Sequence, residues 1–212
     1  MTALAFEIAG AEASPAFASP TVSFRLRVRE IDGGRVDALV LHVGVRIEPR
    51  RRAYAERERR RLIELFGSPE RWGETLHAVQ WAQVAVAIPS FAGTTEAALP
   101  VSCSYDFEIA ANKYTNALED DAIPLRFLFS GTIFTGGERG LQVERVPWNL
   151  EAEYRLPVEV YRRAVEMHFP NAAWIRVRRD LFDELYEYKT AAVHPTWDDS
   201  IEALLDRART RS

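Results

Sequence analysis

The sequence predicts an α+β fold: an antiparallel β-sheet or β-sandwich of about six to seven strands, with one inserted amphipathic helix and a helical C-terminal part. Several segments alternate apolar and polar residues, which is the period of a strand. One segment in the N-terminal half and the region after Trp148 instead repeat apolar residues every three or four positions, as helices do. Because the strands precede the helices rather than alternating with them, an antiparallel arrangement is favoured.

Residues 1–21 are predicted to form a flexible or extended lead-in. Positions 10–21 are filled by small residues, interrupted by Pro15 and Pro20. Within residues 1–21 a short strand is expected only at residues 6–8. The N-terminus shows neither a basic region nor an apolar segment long enough for export or for a membrane span. We therefore expect a cytoplasmic protein with no membrane partner.

Residues 22–148 are predicted to be a β-rich core, and its first element is a β-hairpin. Residues 23–29 alternate strictly, and residues 39–47 do so again after Asp32, Gly33 and Gly34. An Asp-Gly-Gly sequence supplies the positive φ angles that tight hairpin turns need. These features together predict two adjacent, paired strands.

The next segment, residues 48–66, changes to a helical period and predicts the inserted amphipathic helix. Its apolar residues gather on one side, and Gly67 is placed to end it. Two further strands are predicted near residues 81–88 and 99–107, and a short helix near residues 109–118.

The clearest strand of the chain is IPLRFLFSGTIF at residues 123–134, where Leu125, Phe127 and Phe129 share one face. Gly136 and Gly137 then predict a second hairpin, with residues 141–146 as its returning strand.

Residues 149–212 are predicted to be a helical part that packs on the core as one domain with it. Apolar residues recur at helical spacing after Pro157, a residue favoured in the first turn of a helix. Asp180 is predicted to cap a second helix and Thr196 a third.

Composition argues against several classes of function. The net charge is −4 over 212 residues, so the chain lacks the basic footprint of a nucleic-acid binder. Its single cysteine, Cys103, can form neither an internal disulfide nor a four-thiolate iron–sulfur cluster. The four histidines are scattered without metal-binding spacing, and no phosphate-binding motif is present. We therefore predict no catalytic residue, cofactor or metal, and the sequence favours a protein that is not an enzyme.

Two groups of residues are candidate contact sites for a protein partner. The first is the run of arginines in the inserted helix, represented by Arg57, Arg59 and Arg60, although the positive field of these arginines is largely cancelled by interleaved glutamates. The second group contains aromatic and charged residues at the corner between the strand near residues 99–107 and the short helix that follows: Tyr105, Asp106, Lys113 and Tyr114. Ordinary core packing and helix capping would also explain this second group.

Four phrases resemble a bacterial, mainly actinobacterial family known only as a domain of unknown function: RRLIELFGSPERWGETL, FAGTTEAALPVSCSYDFEIAANKY, IPLRFLFSGTIF and AWIRVRRDLFDELYEYK. The resemblance covers nearly the whole chain, from residue 24 to residue 204. Members of that family often lie near genes for uptake nickel-iron hydrogenases. The resemblance implies an accessory role in hydrogenase assembly or maturation, and it assigns no catalytic residues.

The sequence leaves three functions open. The first is a non-enzymatic cytoplasmic accessory or scaffold protein that binds another protein. The second is a small-ligand binder or hydrolase with a site near Cys103 and Tyr105, although a buried cysteine is usually a packing residue. The third is a holdase chaperone similar to SecB, which would have an exposed apolar groove and would form a homo-oligomer. The sequence does not determine the oligomeric state.

Overall fold

The computed structural model describes residues 2–103, 110–119, 121–137, 140–172 and 175–210. Within these ranges lie eight strands: β1 (Leu4–Ala13), β2 (Thr21–Glu30), β3 (Arg35–Ile47), β4 (Val79–Ala92), β5 (Thr94–Ser102), β6 (Ala122–Gly137), β7 (Gly140–Arg145) and β8 (Glu151–Pro157). The helices are α1 (Glu56–Phe66), α2 (Trp72–Thr75), α3 (Ala110–Ala117), α4 (Val158–Glu166), α5 (Arg179–Ala191) and α6 (Trp197–Thr210), with short 3-10 turns at Pro49–Arg51 and Pro69–Arg71. No helix within the described ranges has the length and apolar character needed to cross a membrane.

The strands form two antiparallel sheets. The three-stranded sheet has the order β1-β2-β5. In the five-stranded sheet the order is β4-β3-β6, and β7 and β8 pair with different stretches of β6. The predicted α+β class with antiparallel strands is therefore confirmed, with eight strands where about six to seven were expected.

The core lies between the facing sides of the two sheets. Alternate residues of β2, β3 and β6 point inward, and Phe24 of β2 meets Phe127 of β6 with 5.1 Å between ring centroids. Nearby, Phe6 of β1 stacks on Phe129 at 4.3 Å. Burying large aromatic side chains contributes much of the stability of such a core. The alternation seen in the sequence thus corresponds to the inner faces of a sandwich.

The hairpin predicted around Asp32 is wrong. β2 pairs with β1 and β5, whereas β3 pairs with β4 and β6, so the two segments belong to different sheets. Gly33 does adopt the positive φ of a turn, at 81°. The turn carries the chain from one sheet to the other instead of pairing its flanking strands, because alternation identifies a strand without identifying its neighbour. The second predicted hairpin is confirmed, with Gly137 opposite Gly140.

Both ends of the chain differ from the predicted boundaries. The lead-in contains β1, whose ten residues extend well beyond the short strand allowed at residues 6–8. The part predicted to be helical from residue 149 begins instead with β8, which pairs with β6. The predicted helix after Pro157 is α4, and the short helix before β6 is α3.

The inserted helix is α1, which buries Leu62 and Phe66 and ends at Gly67, whose φ is 74°. It is held at its start by Glu58. The carboxylate of Glu58 accepts hydrogen bonds from the Ala55 N–H at 2.9 Å and from the Glu119 N–H at 2.9 Å. Because Glu119 lies two residues after the end of α3, these bonds join α1 to the segment that follows α3.

The chain divides into two compact units, residues 1–174 and 175–212. The second unit contains α5 and α6. Trp197 lies 5.4 Å from the ring of Phe182 and the Lys189 ammonium lies 5.6 Å from the Trp197 ring. Thr196 caps α6 as predicted, since its hydroxyl oxygen accepts the Asp199 N–H at 3.1 Å. The cap predicted at Asp180 is wrong by two positions, because α5 begins at Arg179 and its cap position is Arg178.

Candidate functional site

The arginines predicted as a contact site lie on α1, and two of them contact their own chain. Arg57 pairs with Glu119 at 3.0 Å, and the Arg59 guanidinium donates to the Tyr54 carbonyl at 3.1 Å. Arg60 is exposed. The positive charge of this helix is therefore partly engaged within the molecule.

The second predicted contact group is divided. Tyr105 and Asp106 lie outside the described residues. Lys113 forms an ion pair with Glu64 of α1. Tyr114 is fully buried, so its side chain belongs to the core and cannot touch a partner protein.

Tyr114 forms a buried pair of phenols with Tyr54. Their hydroxyl oxygens are 2.9 Å apart, and the Tyr54 hydroxyl also donates to the Pro49 carbonyl at 2.6 Å. Burial raises the pKa of Tyr54 to about 12, and burial likewise raises the pKa of Tyr114. Both phenols are neutral at physiological pH, so this arrangement stabilises the fold and offers no general base.

Cys103 is buried beyond the end of β5, where its sulfur lies 4.0 Å from the Val101 carbonyl oxygen. Burial raises the pKa of its thiol to about 12. A cysteine nucleophile reacts as the thiolate, which requires access and a lowered pKa. The geometry therefore favours a packing role for Cys103.

The outer face of the five-stranded sheet is the most distinctive surface of the first unit. On β3 and β6 the residues that alternate with the buried ones point away from the three-stranded sheet. One end of this face is apolar, and we call that set of side chains the outer patch: Val40, Phe134, Leu141, Val143 and Trp148.

The side chains of the outer patch are unusually exposed for their size. Leu141 and Val143 of β7 are 67% and 59% exposed, and Trp148 in the following turn is 91% exposed. The register places Val143 directly opposite Phe134, which is half-buried. Cross-strand neighbours of this kind form one continuous surface, so Val143 and Phe134 are contiguous. The same face continues through the exposed Arg145, which lies opposite Thr132, and Trp148 lies farther along beside Ser130.

Beside the outer patch lies a shallow depression of about 540 Å³. Gly44 of β3 leaves room there, and polar side chains of His42, Gln83 and Ser130 line it together with Trp148. The Ser130 hydroxyl donates to the His42 carbonyl at 3.2 Å. This depression can accept a small polar group or a side chain of a partner.

The other end of the outer face is charged but internally paired. Arg126 lies 3.3 Å from Glu48 and 3.4 Å from Glu151. Arg51 pairs with Glu153 in the same region. The charged groups at this end of the face are therefore engaged in ion pairs within the chain.

Metal chemistry receives no support from the arrangement of ligands. Across the described ranges no three His, Cys, Asp or Glu side chains come together as a group able to hold an ion. Sequence reasoning missed the outer patch because the apolar residues of β7 look like core residues until the register of the sheet is known. The alternation of Leu141 and Val143 was the available signal, and it indicates a strand without indicating which face is covered.

The fold and the exposed face define a two-sheet antiparallel β-sandwich domain with exposed apolar side chains on its outer face. A family model matches residues 1–212. The chain belongs to this family, which is the family of unknown function DUF6084. The search of curated proteins finds no match.

Solved structures show only distant likeness. The CARDB domain of the PF1109 protein from Pyrococcus furiosus has a TM-score of 0.30 and 8% identity, over 74% of this chain and 87% of that chain. A β-glucosidase from Kluyveromyces marxianus has a TM-score of 0.29 and 7% identity, over 73% of this chain and 15% of that enzyme. β-Glucosidase 3B from Thermotoga neapolitana has a TM-score of 0.25 and 10% identity, over 73% and 17% of the two chains. At such scores none of these likenesses supports an argument about function.

Proposed function

We propose that this protein is a non-enzymatic accessory or scaffold protein that binds another protein through the outer patch. The observation that carries the proposal is the exposure of Leu141 and Val143 on the outer face of β7, with Trp148 exposed in the turn that follows. Contiguous exposed apolar surface usually marks an interaction site, and tryptophan is enriched among residues that dominate binding energy.

The proposal includes a cytoplasmic location and a partner among the proteins of uptake nickel-iron hydrogenase assembly or maturation. The partner assignment rests on the family resemblance of the sequence. The exposed apolar side chains of the outer patch suit a partner that presents its own apolar face.

The test is affinity capture of the tagged chain from its native host with crosslinking, in wild type and in matched variants. Val143→Lys and Trp148→Ala alter the outer patch. The control Leu205→Lys also replaces an exposed apolar side chain by lysine, but in the second unit. We expect hydrogenase subunits or maturation factors with the wild type and with Leu205→Lys, and their loss with the two outer-patch variants.

Reversing the charges of Arg57, Arg59 and Arg60 together distinguishes binding through α1 from binding through the outer patch. If this change abolishes capture while Val143→Lys does not, the partner binds α1 and the outer patch is not the docking site. If wild-type protein recovers no specific protein, the accessory function itself is wrong.

A second candidate, favoured by the depression beside Trp148, is the binding of a small polar ligand. Its polar side chains converge on a space of about 540 Å³ next to an aromatic ring. Native mass spectrometry of protein purified from the host would show an added mass that is lost in Trp148→Ala. Absence of added mass in the wild type would remove this candidate.

A further inference from the structure

β4 is an edge strand of unusual length and character. It runs for 14 residues and pairs with β3 along one side. Within the described part of the chain no strand pairs along its other side. The backbone N–H and C=O groups on the free side of such an edge form a template for another strand.

β4 lacks the charged side chains that protect the other edge strands of this protein. Proteins commonly block free edges with charged side chains, proline or bulges. β4 has no charged residue; its register against β3 shifts at Trp81 and its one proline is Pro89, so the stretch from Ala82 to Ile88 between them has none of these three features. The other edge strands all carry charged side chains: Glu7 and Glu12 on β1, Glu96 on β5, Glu144 and Arg145 on β7, and Glu151, Glu153 and Arg155 on β8.

The side chains of β4 also show that its inner face is incompletely covered. Val84 and Val86 point toward the core but are only half-buried. On the outer side Gln83, Ala85 and Ala87 are exposed. Another strand added at this edge would cover the valines and complete the sandwich.

We propose that β4 pairs antiparallel with β4 of a second copy of this chain, about a twofold axis at Ala85. In this register Ala85 faces its own copy, and Val84 of one protomer faces Val86 of its partner. Gln83 faces Ala87 in the same way. Two five-stranded sheets then join edge to edge into one continuous sheet.

A second copy fits this edge because the strand is self-complementary. Ala85 meets its own copy at the axis, so a charged residue at that position would face a like charge. β4 has none. The register also places valine against valine on the inner face, and β-branched cross-strand pairs stabilise a sheet. On the outer face Ala85 faces Ala85 and Gln83 faces Ala87.

The proposed dimer uses β4, and it is an inference separate from the proposed binding of a partner through the outer patch. A twofold axis normal to the sheet leaves both outer faces on the same side. Two outer patches would therefore be presented together, and bivalent binding can strengthen association without any new contact.

The first test changes the charge at the axis and measures the mass of the full chain by sedimentation and native mass spectrometry over a range of concentrations. We expect the wild type to form a dimer of the 24.1 kDa chain. Ala85→Lys and Ala85→Glu should each raise the dimer dissociation constant at least about tenfold, because like charges then face each other. An equimolar mixture of the two variants should restore the dimer, since Lys then faces Glu.

The matched control is Ala98→Glu, an exposed alanine on the edge strand β5. It should leave the dimer unchanged. Circular dichroism of all variants shows whether each one is folded. Restoration by mixing cannot arise from a folding defect, so this measurement separates loss of the interface from loss of structure.

A second test uses a disulfide. Directly opposed residues of antiparallel strands have Cα atoms about 4.5–5.5 Å apart, which lies within the range a disulfide spans. Ala85→Cys in a Cys103→Ala background should therefore form a covalent dimer on mild oxidation, and Ala98→Cys in the same background should not. A wild-type chain that is monomeric at all concentrations, or a dimer insensitive to charge at Ala85, would overturn the proposal.

Discussion

Arg52 and Glu58 form an ion pair that is almost completely withdrawn from solvent. The guanidinium nitrogen lies 2.8 Å from the carboxylate oxygen, and the two side chains are 4% and 3% exposed. The same Glu58 carboxylate accepts the Ala55 and Glu119 N–H groups, and Arg52 also donates to the Ala122 carbonyl at 3.3 Å. One buried pair thus ties α1, the segment after α3 and the start of β6 together.

Removing Glu58 should therefore destabilise the first unit strongly. Glu58→Ala leaves the Arg52 charge without its carboxylate and two backbone N–H groups without their acceptor, so we expect a loss of roughly 3–5 kcal/mol in the free energy of unfolding. Glu58→Gln should lose less, because the amide oxygen can still accept. Urea denaturation followed by circular dichroism measures both.

The control for this prediction is Asp183→Ala, which breaks the exposed pair with Arg179 in the second unit. Exposed pairs contribute little, so its effect should be small. A loss below about 1 kcal/mol for Glu58→Ala would show that the buried pair does not hold α1 in place.

The Tyr54–Tyr114 pair predicts a loss of stability in alkali. The pKa of Tyr54 rises from 10.0 to about 12 because burial disfavours the phenolate. A raised folded-state pKa favours the protonated form, so its contribution is fully present below about pH 10 and is lost as the pH rises toward about 12. Urea midpoints measured across this window should fall, and in Tyr54→Phe they should fall less steeply.

Tyr186→Phe is the matched control, because this tyrosine is exposed in the second unit. Its pH dependence should follow that of the wild type. If the urea midpoints of Tyr54→Phe and the wild type fall equally steeply with rising pH, ionisation of the Tyr54 phenol does not cause the loss of stability in alkali.

Cys103 should be unreactive in the folded protein. Burial raises the pKa of its thiol to about 12, so at pH 8 it is neither ionised nor accessible. An aromatic disulfide reagent should label it slowly in the native chain and rapidly in denaturant. In Ala98→Cys the added exposed thiol should react at once, which checks the reagent, and equally fast native labelling of Cys103 would contradict its burial.

The sequence alone predicts the class of fold and most of the helices and strands. These predictions rest on the spacing of apolar residues, which is a property of each segment by itself. The alternation of Leu125, Phe127 and Phe129 is a property of one strand, and those side chains do face the core. Gly67 could be recognised as the end of α1 because its conformation is set locally, with φ at 74°.

Pairing and burial depend on distant residues, and there the sequence was insufficient. Nothing near Asp32 shows that the strands on either side enter different sheets. Nothing local shows that Arg52 and Glu58 are buried, because their partners at Glu119 and Ala122 lie far along the chain. The exposure of Val143 cannot be predicted from the alternation of β7 either, since it depends on which face of the sheet is covered.

Gly131 provides a last test of how closely β3 and β6 approach. Its φ is 151°, and a Cβ added there would overlap the backbone carbonyl oxygen of Val40 on β3. Gly131→Ala should therefore force the two central strands apart and destabilise the protein by more than about 2 kcal/mol. Gly73→Ala is the matched control, because its Cβ meets open space within α2, and it should be neutral or slightly stabilising. Thermal and urea unfolding of the two variants compare them directly, and equal stability would show that β3 and β6 can separate locally at no cost.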